Sequence, residues 1–207
     1  MKIPSIIALI IGISLVGNAQ SLVTEHYATG REKAKGHMGQ GLKTGEWHYY
    51  YPSGTPSAIE NYKSGILHGQ VTYFYPSGAL LGKEQWKDGT LADSAFYYYE
   101  NGRLDKKGKY LNGSYEGEWV HFFENGNVQR VLTYKDGLPE GKTMVYNESG
   151  TLVQEGGYHL GKEHGEWRFY SMDGVLEYKG NYKNGEPSGV WYAYTKGKER
   201  VYKRYKN

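Results

Sequence analysis

Several groups in this sequence are of types that can do chemistry, and each implies a geometry it would need. There are seven histidines, and a metal centre needs three or four ligands converging on one point. His68 and His164 hold the same place in repeats four units apart, so they cannot share an ion, and they read as turn histidines. Glu60 and Glu84 are equivalent neighbours. Glycoside hydrolysis wants paired carboxyl groups ~5–9.5 Å apart, whereas two intervening strands would separate these by about 10 Å. They read as ordinary solvated charges. Gly36-His-Met-Gly-Gln-Gly41-Leu-Lys43-Thr44 looks like a phosphate loop with Lys and Thr one residue late. It lacks the buried strand before it and the helix after it. No Gly-x-Ser-x-Gly elbow is present, and there is no cysteine. A thiol nucleophile, a cysteine zinc site and a disulfide framework are therefore excluded. The expectation is a chain without a catalytic set, resident metal or cofactor.

Two rows keep a binding interpretation open. Lys63, Lys87, Lys135 and Lys183 recur at one place and could meet phosphate or anionic lipid. The other reading is a row of edge-protecting lysines whose stems cover aromatic rings. Trp47, Trp119, Trp167 and Trp191 also recur. Exposed, they would be a candidate binding surface, stacking on sugars or caging a quaternary ammonium. Buried, they would be the packing spine of a thin sheet. Asn112-Gly-Ser114 and Asn147-Glu-Ser149 are glycosylation sequons, relevant only in a eukaryotic secretory pathway.

The elements that carry these residues are set by a repeat. Gly45-Glu-Trp-His-Tyr-Tyr-Tyr-Pro-Ser-Gly54 returns as Gly69–Gly78, Gly117–Gly126 and Gly165–Gly174. Unit starts fall at 45, 69, 93, 117, 141, 165 and 189, a constant period of 24. A degenerate copy covers 21–44, and the last copy is one residue short at its first turn. The array spans 20–207, with no separate stretch for a catalytic domain. Each unit reads as an aromatic strand, a Pro-Ser-Gly-type turn, a second strand, and an Asn-Gly- or Asp-Gly-type turn such as Ser64-Gly65 or Asp88-Gly89. These are hairpin signals. No window has a helical period with caps. The fold class is therefore all-β, an elongated single-layer antiparallel β-meander of 24-residue hairpins with fourteen to sixteen strands.

Two aromatic columns fall out of that register. The sixth place holds Tyr50, Phe74, Tyr98, Phe122, Tyr146, Tyr170 and Tyr194. The eighteenth holds Tyr62, Trp86, Tyr110, Tyr134, Tyr158, Tyr182 and, after the deletion, Tyr205. Both are expected to form structural ladders, each cross-strand pair contributing roughly 0.2–1 kcal/mol. The tryptophans, third in the unit, have opposite parity to the sixth place and so face the other side of the sheet.

The unit Gly-x-Trp-x-x-Tyr-x-x-x-Gly…Tyr-Lys-x-Gly resembles the MORN repeat, specifically its bacterial variant. Tyr49-Tyr-Tyr-Pro-Ser-Gly54, Glu60-Asn-Tyr-Lys-Ser-Gly65, His68-Gly69, His164-Gly-Glu-Trp167 and Tyr182-Lys-Asn-Gly185 carry the likeness. It covers about 21–207. The resemblance implies successive hairpins in a twisted single-layer sheet, used as a scaffold or protein-binding module, sometimes with lipid contacts. Many members of that variant are labelled YwqK-type antitoxins.

The amino terminus reads as an address. Met1-Lys2 precedes an apolar run, Ile3–Val16, and then Gly17-Asn18-Ala19. The run is shorter than the ~20 apolar residues of a spanning helix, and small residues sit where signal peptidase cuts. Residues 1–19 are expected to be a cleaved signal peptide, the rest periplasmic, outer-membrane-associated or secreted. Composition agrees with a turn-rich aromatic array: 30 Gly and 22 Tyr against 5 Phe and 6 Pro in 207 residues. A net charge of +3 is too small for a nucleic-acid binder. The expected function is an exported, non-enzymatic scaffold for protein–protein interaction in the cell envelope, its partner another envelope or secreted protein. The alternative is a module that binds envelope glycan or anionic lipid headgroups through exposed aromatics.

Overall fold

The computed structural model describes residues 20–206, so the signal-peptide reading of 1–19 lies outside the described residues. Among the described residues there are strands and turns but no helix. They form one open antiparallel sheet of nineteen strands in meander order, each full strand pairing with those before and after it in the chain. Three of these strands are two-residue fragments, Ile66–Leu67, Thr90–Leu91 and Lys162–Glu163. Each precedes a longer strand, Gly69–Phe74, Asp93–Tyr98 and Gly165–Tyr170, and is split from it at His68, Ala92 or His164.

The two turns of each unit differ in kind, and glycine explains both. In the first, Gly54 N–H donates to the Tyr51 carbonyl at 2.8 Å and the chain then leaves through φ +94°. In the second, both central residues have positive φ, Ser64 at 50° and Gly65 at 82°. That is the type I′ geometry whose twist matches a β-hairpin. Asp88, Asn112, Asp136 and Asn184 take the same place. Leu160 does too, at φ 49°, and nothing in a leucine side chain favours that conformation.

Each unit also carries two irregularities that set which residues share a face. Gly36 pairs with Trp47 and His37 with Thr44, so Gly45 and Glu46 have no partner on the preceding strand. Gly45 accommodates this with φ +65°, and every unit start does likewise, including Asp93 at 58°. Further along, Tyr49 pairs with Ala58 but Tyr50 with Pro56, which leaves Ser57 as a bulge. Such bulges bend a strand and increase its twist.

The buried residues lie on one face. Trp47, Trp119, Trp167, Trp191, Val71, Ala95, Leu132 and Thr143 are all buried there. The opposite face is charged: Arg168 bonds Glu155 at 3.2 Å and Glu166 at 2.6 Å, and Lys179 lies 3.3 Å from Glu199.

Candidate functional site

The four tryptophans are the spine and not a binding surface, which corrects the surface expected at Trp47, Trp119, Trp167 and Trp191. Trp119 is fully buried, Trp47 and Trp167 are 1% exposed and Trp191 is 7% exposed. The reason is a notch on the preceding strand. A Cβ added to Gly36, Gly108, Gly156 or Gly180 would sit 2.1–2.4 Å from the indole of Trp47, Trp119, Trp167 or Trp191 respectively. Each indole therefore lies flat over a bare backbone, within van der Waals reach only because no side chain stands there. Its N–H then reaches the next carbonyl of that strand: Trp47 to His37 and Trp119 to Lys109 at 3.0 Å, Trp167 to Gly157 at 3.1 Å, Trp191 to Asn181 at 3.2 Å.

Where the indole is missing, so is the glycine. Val71 follows Glu60, Ala95 follows Glu84 and Thr143 follows Leu132 at the same spacing. The signal was in the sequence as a glycine eleven residues before every one of these four tryptophans. It is invisible without knowing that bulges bring those two places together.

The two aromatic columns behave differently. Eighteenth-place rings interleave with the tryptophans on the packed face. Trp167 meets Tyr158 at 5.3 Å and Tyr182 at 5.7 Å, and Trp191 meets Tyr182 at 5.2 Å and Tyr205 at 6.1 Å, all edge-on. Edge-to-face is a favoured aromatic arrangement. Sixth-place rings lie on the charged face. Among the described residues no ring contact joins them to one another, which corrects the ladder expected of them. Instead Tyr170 donates to Glu155 at 2.6 Å and Tyr194 donates to Glu199.

A third column was missed. The hydroxyls of Tyr27, Tyr51, Tyr75 and Tyr99 donate to the carbonyls of Tyr50, Phe74, Tyr98 and Phe122 at 2.6–2.9 Å. Each ties a turn to the next unit. The column stops at Phe123, and Asn147 takes over by donating to the Met172 carbonyl at 2.8 Å. Asn147 is 9% exposed with its amide so engaged, so the sequon there is closed in the fold.

Glu60 and Glu84 are not the solvated charges expected. They point into the packed face where the indoles are absent. Glu84 is 8% exposed and accepts from Tyr97 at 2.6 Å and from the Trp86 indole N–H at 3.0 Å. Glu60 accepts from Tyr62, whose oxygen lies 3.1 Å from that of Tyr49. Lys43 donates to Tyr49 at 2.6 Å and stands over the Trp47 ring at 4.4 Å. Burial, and then the Glu60 carboxylate, pushes Tyr62 up to about 12 against the opposing pull of its Tyr49 bond, while burial with neighbouring phenol and carboxylate bonds raises Tyr49 and Tyr97 well above the usual phenol range. Side chains fill the gap here and satisfy one another.

At Thr143 the gap is not filled. A surface cavity of about 510 Å³ opens there, lined by Phe123, Gln129, Arg130, Thr143, Val145, Tyr146, Gln154, Tyr158 and Trp167. Arg130 is half-buried and, among the described residues, makes no hydrogen bond or ion pair. Its charge is felt: with burial first and then Arg130 and Lys106, it holds His121 below the usual imidazole range. A smaller cavity of about 240 Å³ on the other face contains Arg168, Glu155 and Glu166, which pair among themselves. At the carboxyl end, Phe169, Tyr178, Tyr182, Pro187, Trp191, Tyr202 and Tyr205 enclose about 300 Å³. Lys63, Lys87, Lys135 and Lys183 are exposed at hairpin ends. Among the described residues no three metal-ligating side chains converge.

The sequence profile of the MORN repeat variant matches residues 43–64, 67–88, 115–136 and 163–184. This is a MORN-repeat protein. The match extends to the repeat and not to the YwqK-type subfamily. No curated protein matches the chain. Two crystal structures, TcdB2–TccC3 and TcdB2–TccC3–Cdc42, are similar at 12% and 13% identity, each with a TM-score of 0.22. Each covers 88% of this chain, which spans 14% and 13% of theirs. The matched MORN units run from just before one bulge to the type I′ turn of the next hairpin. They include the units built on Trp47, Val71, Trp119 and Trp167. The matched units thus hold both ways of filling the notch. As a repeat scaffold, the MORN array offers one continuous face whose character changes along its length: phenol and carboxylate, then the Arg130 cavity, then the aromatic basin.

Proposed function

We propose that this MORN-repeat chain is an exported, non-enzymatic scaffold that holds another protein of the cell envelope along its packed face. The observation that carries the reading is the graded face itself. Successive strands stand ~4.8 Å apart, so a second polypeptide lying across them meets each zone in turn. It would read the phenol–carboxylate pair at Glu60 and Tyr62 and the open rings at Tyr178 and Tyr202, which are 38% and 56% exposed. Export is supported by the amino-terminal pattern alone. A second reading, an envelope glycan or lipid ligand, is favoured by the aromatic basin at the carboxyl end, which supplies the accessible rings that the four tryptophans do not.

Photo-crosslinking in the source cells tests the first reading. A crosslinker at Tyr178, exposed on the packed face, should trap one envelope protein, still trapped after glycan digestion. The same group at Lys107, on the opposite face, should not. Glycan or lipid recovered without protein would move the second reading to the front. A chain found in the cytosol with residues 1–19 intact would overturn export.

A further inference from the structure

Among the described residues Arg130 is a cation without a partner inside a cavity on the packed face, and three independent features say what would fill it. The first is how the space arises. In this row the notch holds Leu132 and the following strand holds Thr143, whose hydroxyl is turned to the Val131 carbonyl at 3.1 Å. No indole covers that stretch, and about 510 Å³ remains open, within the range of a small-ligand site.

The second is the polar lining. Arg130 stands between His121 and Val145 in the ladder, and Gln129 is the bulge residue beside it, skipped between the Arg130 and Val128 pairings. The bulge therefore lets two consecutive side chains line one cavity. Gln154 adds a second primary amide. An amide has donors and acceptors that match hydroxyls, and a guanidinium has a planar fork that matches a carboxylate. Contrast Arg168, which the other face has already paired with two glutamates.

The third is the aromatic wall. Tyr158 is half-buried and meets the buried Trp167 at 5.3 Å with ring planes at 90°, so the cavity is bounded by one ring that a second holds in place. A flat ring beside amides and one guanidinium suits a pyranose that carries a carboxylate.

We propose that the Arg130 cavity is a binding site for an acidic sugar, a carboxylated pyranose whose carboxylate sits on Arg130 and whose ring lies against Tyr158. Gln129 and Gln154 take its hydroxyls. The cavity is thereby left out of the surface offered to a polypeptide partner, and a sugar in it neither requires nor forbids a polypeptide along the rest of the face.

The test is an NMR titration of the whole mature chain, following the Arg130 Nε–H and Trp167 indole N–H signals. The probes are glucuronate, its neutral methyl ester, glucose, acetate, inorganic phosphate and N-acetylglutamate amide. Glucuronate should shift both signals to saturation. The ester and glucose should bind at least tenfold more weakly. R130Q should lose at least tenfold, with the circular dichroism spectrum unchanged, while R168Q on the other face should bind normally. Equal binding of glucuronate and glucose would overturn the proposal, as would an R130Q variant with full affinity. Acetate or phosphate matching glucuronate would make this a bare anion site. N-acetylglutamate amide binding more tightly would give the cavity to a protein side chain. Either outcome sinks the sugar assignment, and the titration of the unmodified protein decides it even if R130Q fails to fold.

Discussion

The notch beneath each indole makes a sharp demand at Gly156. Its backbone angles are ordinary, so alanine there meets no conformational strain. In an open strand the change would stabilise by about 0.4–1 kcal/mol through the unfolded chain. Here the new Cβ would lie 2.1 Å from Cδ2 and 2.4 Å from Cε2 of Trp167. Carbon atoms at rest stand about 3.5–4.0 Å apart, so the indole would have to lift by about 1.5 Å. It has nowhere to go without breaking its 3.1 Å bond to Gly157 and its edge-on contacts with Tyr158 and Tyr182. Overpacking of this kind costs about 1–3 kcal/mol. Set against the backbone gain, Gly156→Ala should destabilise by about 1–2 kcal/mol.

The protein itself supplies the compensating change, because Leu132 and Thr143 occupy the same two places one unit earlier. Trp167→Thr alone should cost about 3–5 kcal/mol, as large-to-small core changes do. Gly156→Leu alone should clash harder than alanine. Together they should recover part of the loss, with a coupling of about 1–3 kcal/mol. Urea unfolding followed by circular dichroism gives the totals. Because repeats can unfold unit by unit, amide exchange between Gly157 and Phe169 should localise the effect. Gly156→Ala matching the parent, or a double variant that loses the sum of its parts, would refute the notch.

Two other outcomes are expected. Leu160→Asn should raise the melting temperature by relieving a left-handed leucine, since asparagine tolerates that region. A gain of about 0.5–1 kcal/mol in thermal or urea unfolding checks it. Tyr62 and Tyr110, both pushed up to about 12 chiefly by burial, keep their protons in the fold past the pH where free phenols lose theirs. Their folded values are raised, so the stability they contribute is complete below pH 10 and is lost as pH climbs from there towards about 12. Ultraviolet titration at pH 11 should show buried phenols still unionised and an unfolding midpoint lower than at pH 9. Full ionisation at pH 11 with no loss of stability would contradict the burial.

Period, strand count and turn chemistry were legible because the sequence repeats them with little change. Asn-Gly and Asp-Gly mark the type I′ turns directly, whereas the turn at Leu160-Gly161 carries no such residue and was not singled out. Face assignment was only half legible. Alternation correctly set the third place against the sixth, but the bulges at Gly45 and Ser57 decide which second-strand places join the tryptophans. Hence the eighteenth-place rings interleave with Trp167 and Trp191 while Tyr170 and Tyr194 do not. Exposure was not legible at all: a tryptophan in a one-layer sheet looks accessible until a glycine one strand away lets it lie flat. Glu84 misled for the same reason, since its partners Tyr97 and Trp86 are neighbours only across the sheet.

The same coupling bears on where function can reside in such an array. Indole and glycine belong to adjacent units, so a unit cannot change its core residue alone. It must change with its neighbour, and every native departure here is a matched pair. Two of those pairs, Glu60 with Val71 and Glu84 with Ala95, refill the space with a carboxylate that finds phenol or indole donors. The third, Leu132 with Thr143, satisfies its own hydroxyl and leaves the space empty beside Arg130, which has no partner among the described residues. Packing gives no advantage to that combination, since an indole over glycine in the adjoining unit closes the same gap. A half-buried guanidinium without an acceptor also forgoes the charge-assisted bonds it could make. Among the described residues, the row in which the fold gives up contact and charge pairing together is where a ligand would restore both.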